Sequence, residues 1–346
     1  MPTTSFPPTF VWGVATASYQ IEGAVHAGGR GESIWDRFSH TPGNIHNGDT
    51  GDVACDHYHR YPEDIAIMAE LGLDAYRFSV AGPRVVPAGV GEVSTAGLDF
   101  YDRLVDELLA NGITPYVTLY HWDLPQALED AGGWPARATA EAFAEYASVV
   151  AARLGDRVPR FTTLNEPWCS SDLGYRVGVH APGRRQHQAA LAAAHHLLLA
   201  HGLAVPAIRA AAPGSEVGIT LNFEPKAPAS SHPLDVEAAL AAHDQYNRWF
   251  LDPVVGRGYP AHGAAAWGWD QLEVADGDLA VIAAPIDFFG VNYYTRQVVR
   301  SPDLDPLPAA SAPELTGMGW EVYPEGLTEI LEFVASRTGE LPLYVT

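Results

Sequence analysis

Short β-rich runs alternate along the chain with longer stretches whose apolar positions recur at three and four residues. The short runs are Phe10–Ala15, Asp74–Val80, Thr114–Tyr120, Arg160–Asn165, Val217–Asn222, Asp287–Tyr293 and Leu343–Thr346. Most are nearly continuous in apolar character, the pattern of strands covered on both faces in a parallel sheet. Between them, Phe100/Tyr101, Leu104/Val105 and Leu108/Leu109 form a stripe at helical spacing that stops at Asn111-Gly112. The alanine- and leucine-rich stretch Ala189–Ala211 and the stretch Glu325–Ser336 predict further helices. Strand and helix in regular alternation predict βα units. The fold class expected is α/β, a (β/α)8 TIM barrel of which this chain supplies seven of eight strands. The whole of 1–346 is expected to be a single barrel catalytic domain lacking its C-terminal strand and helix. No low-complexity linker divides it, and Ser301–Pro313, rich in Pro, Ser and Asp, reads as a loop.

Composition narrows the function classes. With 20 Lys+Arg against 42 Asp+Glu the formal charge is −22. Such a field repels nucleic acid phosphate and anionic membrane, so neither is expected as a partner. No run of eighteen apolar residues suggests a membrane span. Met1–Phe10 lacks the basic and apolar regions of a secretory signal, and two cysteines, Cys55 and Cys169, make no disulfide framework. A cytoplasmic location is therefore expected. Gly28-Gly29-Arg30-Gly31 lacks the lysine of a phosphate-binding loop, and the histidine pairs His57/His59 and His195/His196 do not by themselves build a metal site. Neither a cofactor nor a metal is expected.

In a (β/α) barrel the chemistry gathers at the C-terminal ends of the strands. Those ends hold Gln20, His121-Trp122, Asn165-Glu166, Asn222 and Asn292-Tyr293-Tyr294. One acid, several amides, an imidazole and aromatic faces suit a neutral ligand rich in hydroxyls, because amides and imidazole pair with hydroxyls and rings stack on sugar C–H faces.

These residues also carry a resemblance. Thr163-Leu164-Asn165-Glu166-Pro167-Trp168 is similar to the acid/base signature of glycoside hydrolase family 1, the β-glucosidase family. The segment Phe10 to Gly23 resembles that family's N-terminal signature. Gly31 to Asp36, Tyr76 to Ser79, Tyr120 to Pro125 and Gly290 to Thr295 match further motifs in the same order. The resemblance covers essentially the whole chain. It implies a retaining β-glycosidase that releases terminal β-glucosyl or related residues through a covalent glycosyl-enzyme intermediate. Glu166 would be the general acid/base, and the nucleophile would be the residue directly after Thr346. The chain alone would then be inactive, and a complementing C-terminal fragment becomes a candidate partner beside the small carbohydrate substrate. The alternative is a truncated, non-catalytic sugar-binding remnant or half of a split enzyme.

By the same resemblance Gln20, His121, Asn165 and Trp122 would hold the hydroxyls of the first sugar. Arg77 and Tyr294 would contact the nucleophile, with Asn292 close by, and Trp168 and Trp320 would border the leaving-group side. Simpler readings stand beside these: Glu166 as a solvated loop carboxylate, His121 as a satisfied core histidine, Trp320 as a helix cap, Cys169 as a small buried residue. Arg77, inside an apolar strand, needs an acidic partner, either a structural one or the nucleophile. Gly82 departs from the family pattern, which has a tryptophan there, and predicts a cavity at the end of the second strand large enough for a flat aromatic such as indole.

Overall fold

A computed structural model describes residues 5–262, 268–305 and 313–346. Among the described residues nine strands occur in chain order: β1 (Gly13–Ala15), β2 (Ala75–Ser79), β3 (Thr114–Tyr120), β4 (Arg160–Asn165), β5 (Glu216–Phe223), β6 (Lys226–Pro228), β7 (Phe288–Tyr293), β8 (Gln297–Val299) and β9 (Leu343–Val345). Seven of them form one sheet in the order β1-β2-β3-β4-β5-β7-β9, every pairing parallel. This is an incomplete (β/α)8 barrel. All seven expected strands are present, β3 and β4 with the bounds read from the sequence.

β1 begins three residues later than its apolar run. Asp74 is the reason: its carboxylate accepts the Trp12 N–H, while the N–H groups of Asp74 and Ala75 both donate to the Trp12 carbonyl. That clasp replaces ladder pairing. The pair β6 and β8 forms a separate parallel ribbon that the sequence pattern does not announce. Of the expected loop Ser301–Pro313, residues 306–312 lie outside the described residues.

The helices follow their stripes. Thr95–Ala110 buries Leu98, Phe100, Tyr101, Leu104, Val105 and Leu108, and Ser94 caps its start by accepting from the Gly97 N–H. His187–Ala211 spans 25 residues and is long and apolar enough to cross a membrane, yet it packs against the helix Arg137–Leu154 and against Asp278–Ile282. Its apolar surface goes into the core. Within the sheet, close approach excludes larger residues: a Cβ at Gly290 of β7 would stand 2.1 Å from the Thr220 hydroxyl. The interior strands are buried, whereas the end strand β1 is exposed throughout and Phe6, Phe10, Trp12 and Val14 gather on it.

Two features hold the mouth of the barrel. Glu22, just after the short helix Ser18–Ile21, accepts from Arg84 Nε at 3.1 Å and from the Tyr101 hydroxyl at 2.6 Å. Arg84 also lies over the Tyr58 ring at 4.4 Å, and both charges are buried. The cluster pins the segment carrying Gln20 to the end of β2. The second feature concerns Gly82. The expected cavity is present but small, about 20 Å³, because the Pro125 ring stands 3.6 Å from where a Cβ would be. An indole does not fit it.

Breaking a buried ion pair from one side leaves a charge without compensation, at a cost of about 3–5 kcal/mol. Arg84→Met is therefore expected to lower the unfolding free energy by that amount, seen as a lower urea midpoint, and Glu22→Gln in the same chain to recover part of it. Equilibrium denaturation of the parent, the single and the double variant checks this.

Candidate active site

Glu166 follows β4 with a backbone φ of +50°, a left-handed conformation uncommon outside glycine. Its N–H donates to the Thr220 carbonyl of β5 at 2.9 Å, which fixes the turn. The carboxylate is 3% exposed. Oε1 accepts from Asn292 Nδ2 at 2.5 Å and from the Tyr294 hydroxyl at 3.3 Å, and Oε2 accepts from Cys169 Sγ at 3.2 Å. Burial pushes the Glu166 carboxyl above the ordinary glutamate range. The hydrogen bonds from Asn292 and Cys169 and the charge of Arg77 oppose that rise without cancelling it.

Asn165 is the hub. Its Oδ1 accepts from Arg77 Nη2 at 2.8 Å and Asn292 Nδ2 at 3.2 Å, and its carbonyl accepts from Trp122 Nε1 at 2.9 Å. Two donors on one oxygen settle the orientation of the amide, so Nδ2 faces His121 Nε2 at 3.2 Å as the donor. Nε2 must then be the acceptor, and the imidazole carries its proton on Nδ1, which has no partner among the described residues. Burial and the Arg77 charge hold the His121 pKa down to about 3, so the ring stays neutral and offers one free donor. Trp122, at φ +80°, lies between His121 and His180.

Of the two acidic partners weighed for Arg77, the structure supplies no structural one. No ion pair reaches it among the described residues; the partner of its guanidinium is the neutral Asn165. Burial lowers its pKa to about 10, with Glu166 as the opposing charge. It therefore remains cationic at neutral pH. Its Nε is buried without a hydrogen bond among the described residues.

The structure brings the expected residues to one mouth. A cavity of about 580 Å³ is bordered by Gln20, Trp122, Glu166, Trp168, Asn222, Tyr294 and Trp320. A neighbouring one of about 320 Å³ is bordered by Gln20, His121 and Trp122 together with Tyr19 and Trp35. Gln20 and Trp122 belong to both. Arg77, Asn165 and Asn292 stand beneath, as supports of Glu166. Trp320 faces the Tyr294 ring at 5.6 Å and is half-exposed, so it lines the cavity and does not cap a helix.

Sequence reasoning read Cys169 as a small buried residue, which it is, without seeing its contact with Glu166, and passed over Glu224, Tyr246 and His180, which border the larger cavity. Cys169 lies three residues beyond Glu166 in the π-helical stretch Cys169–Val177, a spacing that places it on the same face one turn on. Glu224 lies two residues past Asn222, on the same side of the chain as it leaves β5. Tyr246 packs on Trp168 at 4.5 Å and takes a hydrogen bond from Asn222, from a segment that gave no signal.

A parallel barrel whose mouth buries one protonatable glutamate among neutral donors and aromatic faces has the layout of a glycoside-cleaving enzyme. Comparison with known proteins agrees. Residues 2–346 match the model of Glycosyl hydrolase family 1. "Beta-glucosidase A" of Acetivibrio thermocellus is 48% identical over 339 residues, 96% of this chain and 76% of that protein. Among solved structures, the AHE enzyme from Alicyclobacillus herbarius superposes with a TM-score of 0.94 at 55% identity, over 99% of this chain and 79% of that one. The β-glucosidase from Thermotoga maritima in complex with castanospermine gives 0.93 at 46%, over 99% and 78%. The chain belongs to glycosyl hydrolase family 1.

Removing a hydrogen bond that favours the charged form must move a carboxyl further up. Asn292→Ala is expected to raise the pKa of Glu166 above its already elevated value, as read by pH-difference infrared spectroscopy of the carboxyl band. An unchanged or lowered value contradicts the assignment of Asn292 as the donor.

Proposed function

We propose that the protein is a retaining β-glycosidase acting on terminal β-glucosyl residues of small glycosides, with Glu166 as its acid/base. The observation that carries this reading is the buried carboxyl of Glu166, held by Asn292, Tyr294 and Cys169 at the wall of the 580 Å³ cavity. A carboxyl kept above its ordinary range is suited to donate a proton near neutral pH. The β-glucosidase named among its relatives supports glucose as the sugar.

In the first step Glu166 gives its proton to the glycosidic oxygen while a second carboxylate attacks the anomeric carbon from the opposite face, and the aglycone leaves as an alcohol. In the second step the Glu166 carboxylate takes a proton from water, which displaces the enzyme carboxylate and releases the sugar. In retaining enzymes the two carboxyls stand about 5–5.5 Å apart. The resemblance puts the second one directly after Thr346. Support comes from β9, whose continuation brings the Thr346 hydroxyl to Asn292 Oδ1 at 2.8 Å, the same amide that bonds Glu166. Cationic Arg77, without a carboxylate of its own, stands ready to stabilise that group. The neutral imidazole of His121 and the amide of Gln20 are the donors and acceptors for sugar hydroxyls, and Trp168, Tyr294 and Trp320 are the aromatic border for the leaving group.

In the protein carrying both carboxylates, Glu166→Ala is expected to slow glycosides with poor leaving groups by about 10²–10⁴-fold, and activated aryl glycosides far less, since only the former need protonation. Azide should restore turnover of activated substrates by replacing the water that Glu166 activates. Equal losses across leaving groups with no azide rescue would remove Glu166 from the role and favour a sugar-binding protein without turnover.

A further inference from the structure

Gln20 and Trp122 border both cavities of the mouth, whereas Trp168, Tyr246 and Glu224 border the larger one alone. Glu224 directly follows β5, and one side chain locks its backbone. Its N–H donates to Asn247 Oδ1 at 3.1 Å, and its carbonyl accepts from Asn247 Nδ2 at 2.9 Å. Its carboxylate Oε2 accepts from Lys226 Nζ. That ammonium also donates to Gln297 Oε1 at 2.9 Å and lies 4.0 Å from the centre of the Tyr246 ring. The two charges are unequally placed: the Lys226 side chain is 3% exposed and that of Glu224 19%. Lys226 does not border the cavity, so it holds the carboxylate from behind.

The carboxylate meets no competing cation in the wall. Among the described residues no lysine or arginine borders this cavity, and burial holds the His180 imidazole below the ordinary histidine range, so it is mostly neutral at neutral pH. Apolar side chains dominate the rest: Trp168, Phe223, Tyr294, Met318 and Trp320. A charge facing such a wall acts through a low dielectric and is felt more strongly than one on the open surface. Lys226 offsets part of that field, but it stands behind Glu224, while the carboxylate itself is open to a ligand.

We propose that Glu224 determines the specificity of the leaving-group side: it selects aromatic aglycones that carry a hydrogen-bond donor, an ammonium before a hydroxyl, and disfavours those that carry a carboxylate. This inference rests on the sugar-cleaving reading, which makes the wall at Trp168 and Trp320 the leaving-group side. The rings stack on the aromatic body, and the Glu224 carboxylate accepts from its donor. Tyr246 links the two functions, since it packs on Trp168 at 4.5 Å and carries the ammonium that holds Glu224. An anionic aglycone would bring like charges together in that low dielectric, which is costly.

Non-cleavable β-thioglucosides separate binding from turnover. The ligands share a phenyl aglycone and differ in its para group: aminomethyl, hydroxymethyl or carboxylate. Calorimetric titration of the protein carrying both catalytic carboxylates, at neutral pH, is expected to show the aminomethyl ligand bound about tenfold tighter than the hydroxymethyl one, as one charge-assisted hydrogen bond supplies. The carboxylate ligand should bind about tenfold more weakly than the hydroxymethyl one. Glu224→Gln should bring all of them within about threefold of one another. Because that change leaves Lys226 buried without its carboxylate, Glu224→Gln combined with Lys226→Met is the second variant, and it should show the same levelling. A Glu224 that served structure alone would weaken every ligand alike and keep their order. Equal affinities in the parent, no binding of any ligand, or an order that persists in the double variant overturns the proposal. Turnover of the matching O-glycosides is measured separately: its failure, with the order of affinities intact, strikes the sugar-cleaving reading and not the role of Glu224 in binding.

Discussion

The mouth of this barrel depends on burying a guanidinium whose hydrogen-bond partner among the described residues is a neutral amide. Arg77 is 7% exposed on an interior strand, and its partner is the amide oxygen of Asn165. A buried charge must be hydrogen-bonded, and a neutral partner returns less than an ionic one, so the surroundings have to be rigid to hold it. Asn165 provides that rigidity by serving β2, β3 and β7 together through Arg77, His121 and Asn292. Glu166, next along the chain, inherits its position from the same hub and takes a left-handed backbone to point into the cavity. Replacing any member of the set leaves a buried polar group without its partner, which explains how one amide can set the geometry of residues from four strand ends.

Much of this arrangement was legible in the sequence, for a physical reason. Interior strands of a parallel sheet are covered on both faces, so β3 and β4 stand out as short runs of β-branched, aromatic and aliphatic residues, and polar residues at the ends of such runs have to face the mouth. His121, Asn165, Glu166 and Asn292 were found by that rule. The edge was harder: Trp12 lies in the apolar run but is drawn out of the ladder by the Asp74 carboxylate, a side-chain contact that no periodicity encodes. The three-residue strands β6 and β8 were illegible because their pairing depends on long-range neighbours, including Lys226 bonded to Gln297. The amide beside Arg77 could not be read either, since the sequence shows that the charge is buried but not that Asn165 receives it. Cys169 had a signal, its spacing from Glu166, whose meaning depended on the helix that follows.

The net charge of −22 does not account for the raised pKa of Glu166. At physiological ionic strength exposed charges are screened over about 8 Å, so the distant acidic surface acts weakly at the floor of the cavity. The local groups act in opposite directions. Desolvation raises the carboxyl, while Arg77, Asn292 and Cys169 lower it, and desolvation wins because each opponent is only a partial match. Arg77 spends its hydrogen bond on Asn165, and Cys169 is a weak sulfur donor. An arginine paired directly with Glu166 would have favoured ionisation and emptied the site of its acid. Under the proposed mechanism the neutral hub therefore has a second use: it keeps a cation near enough to stabilise an opposing carboxylate and too poorly placed to deprotonate Glu166.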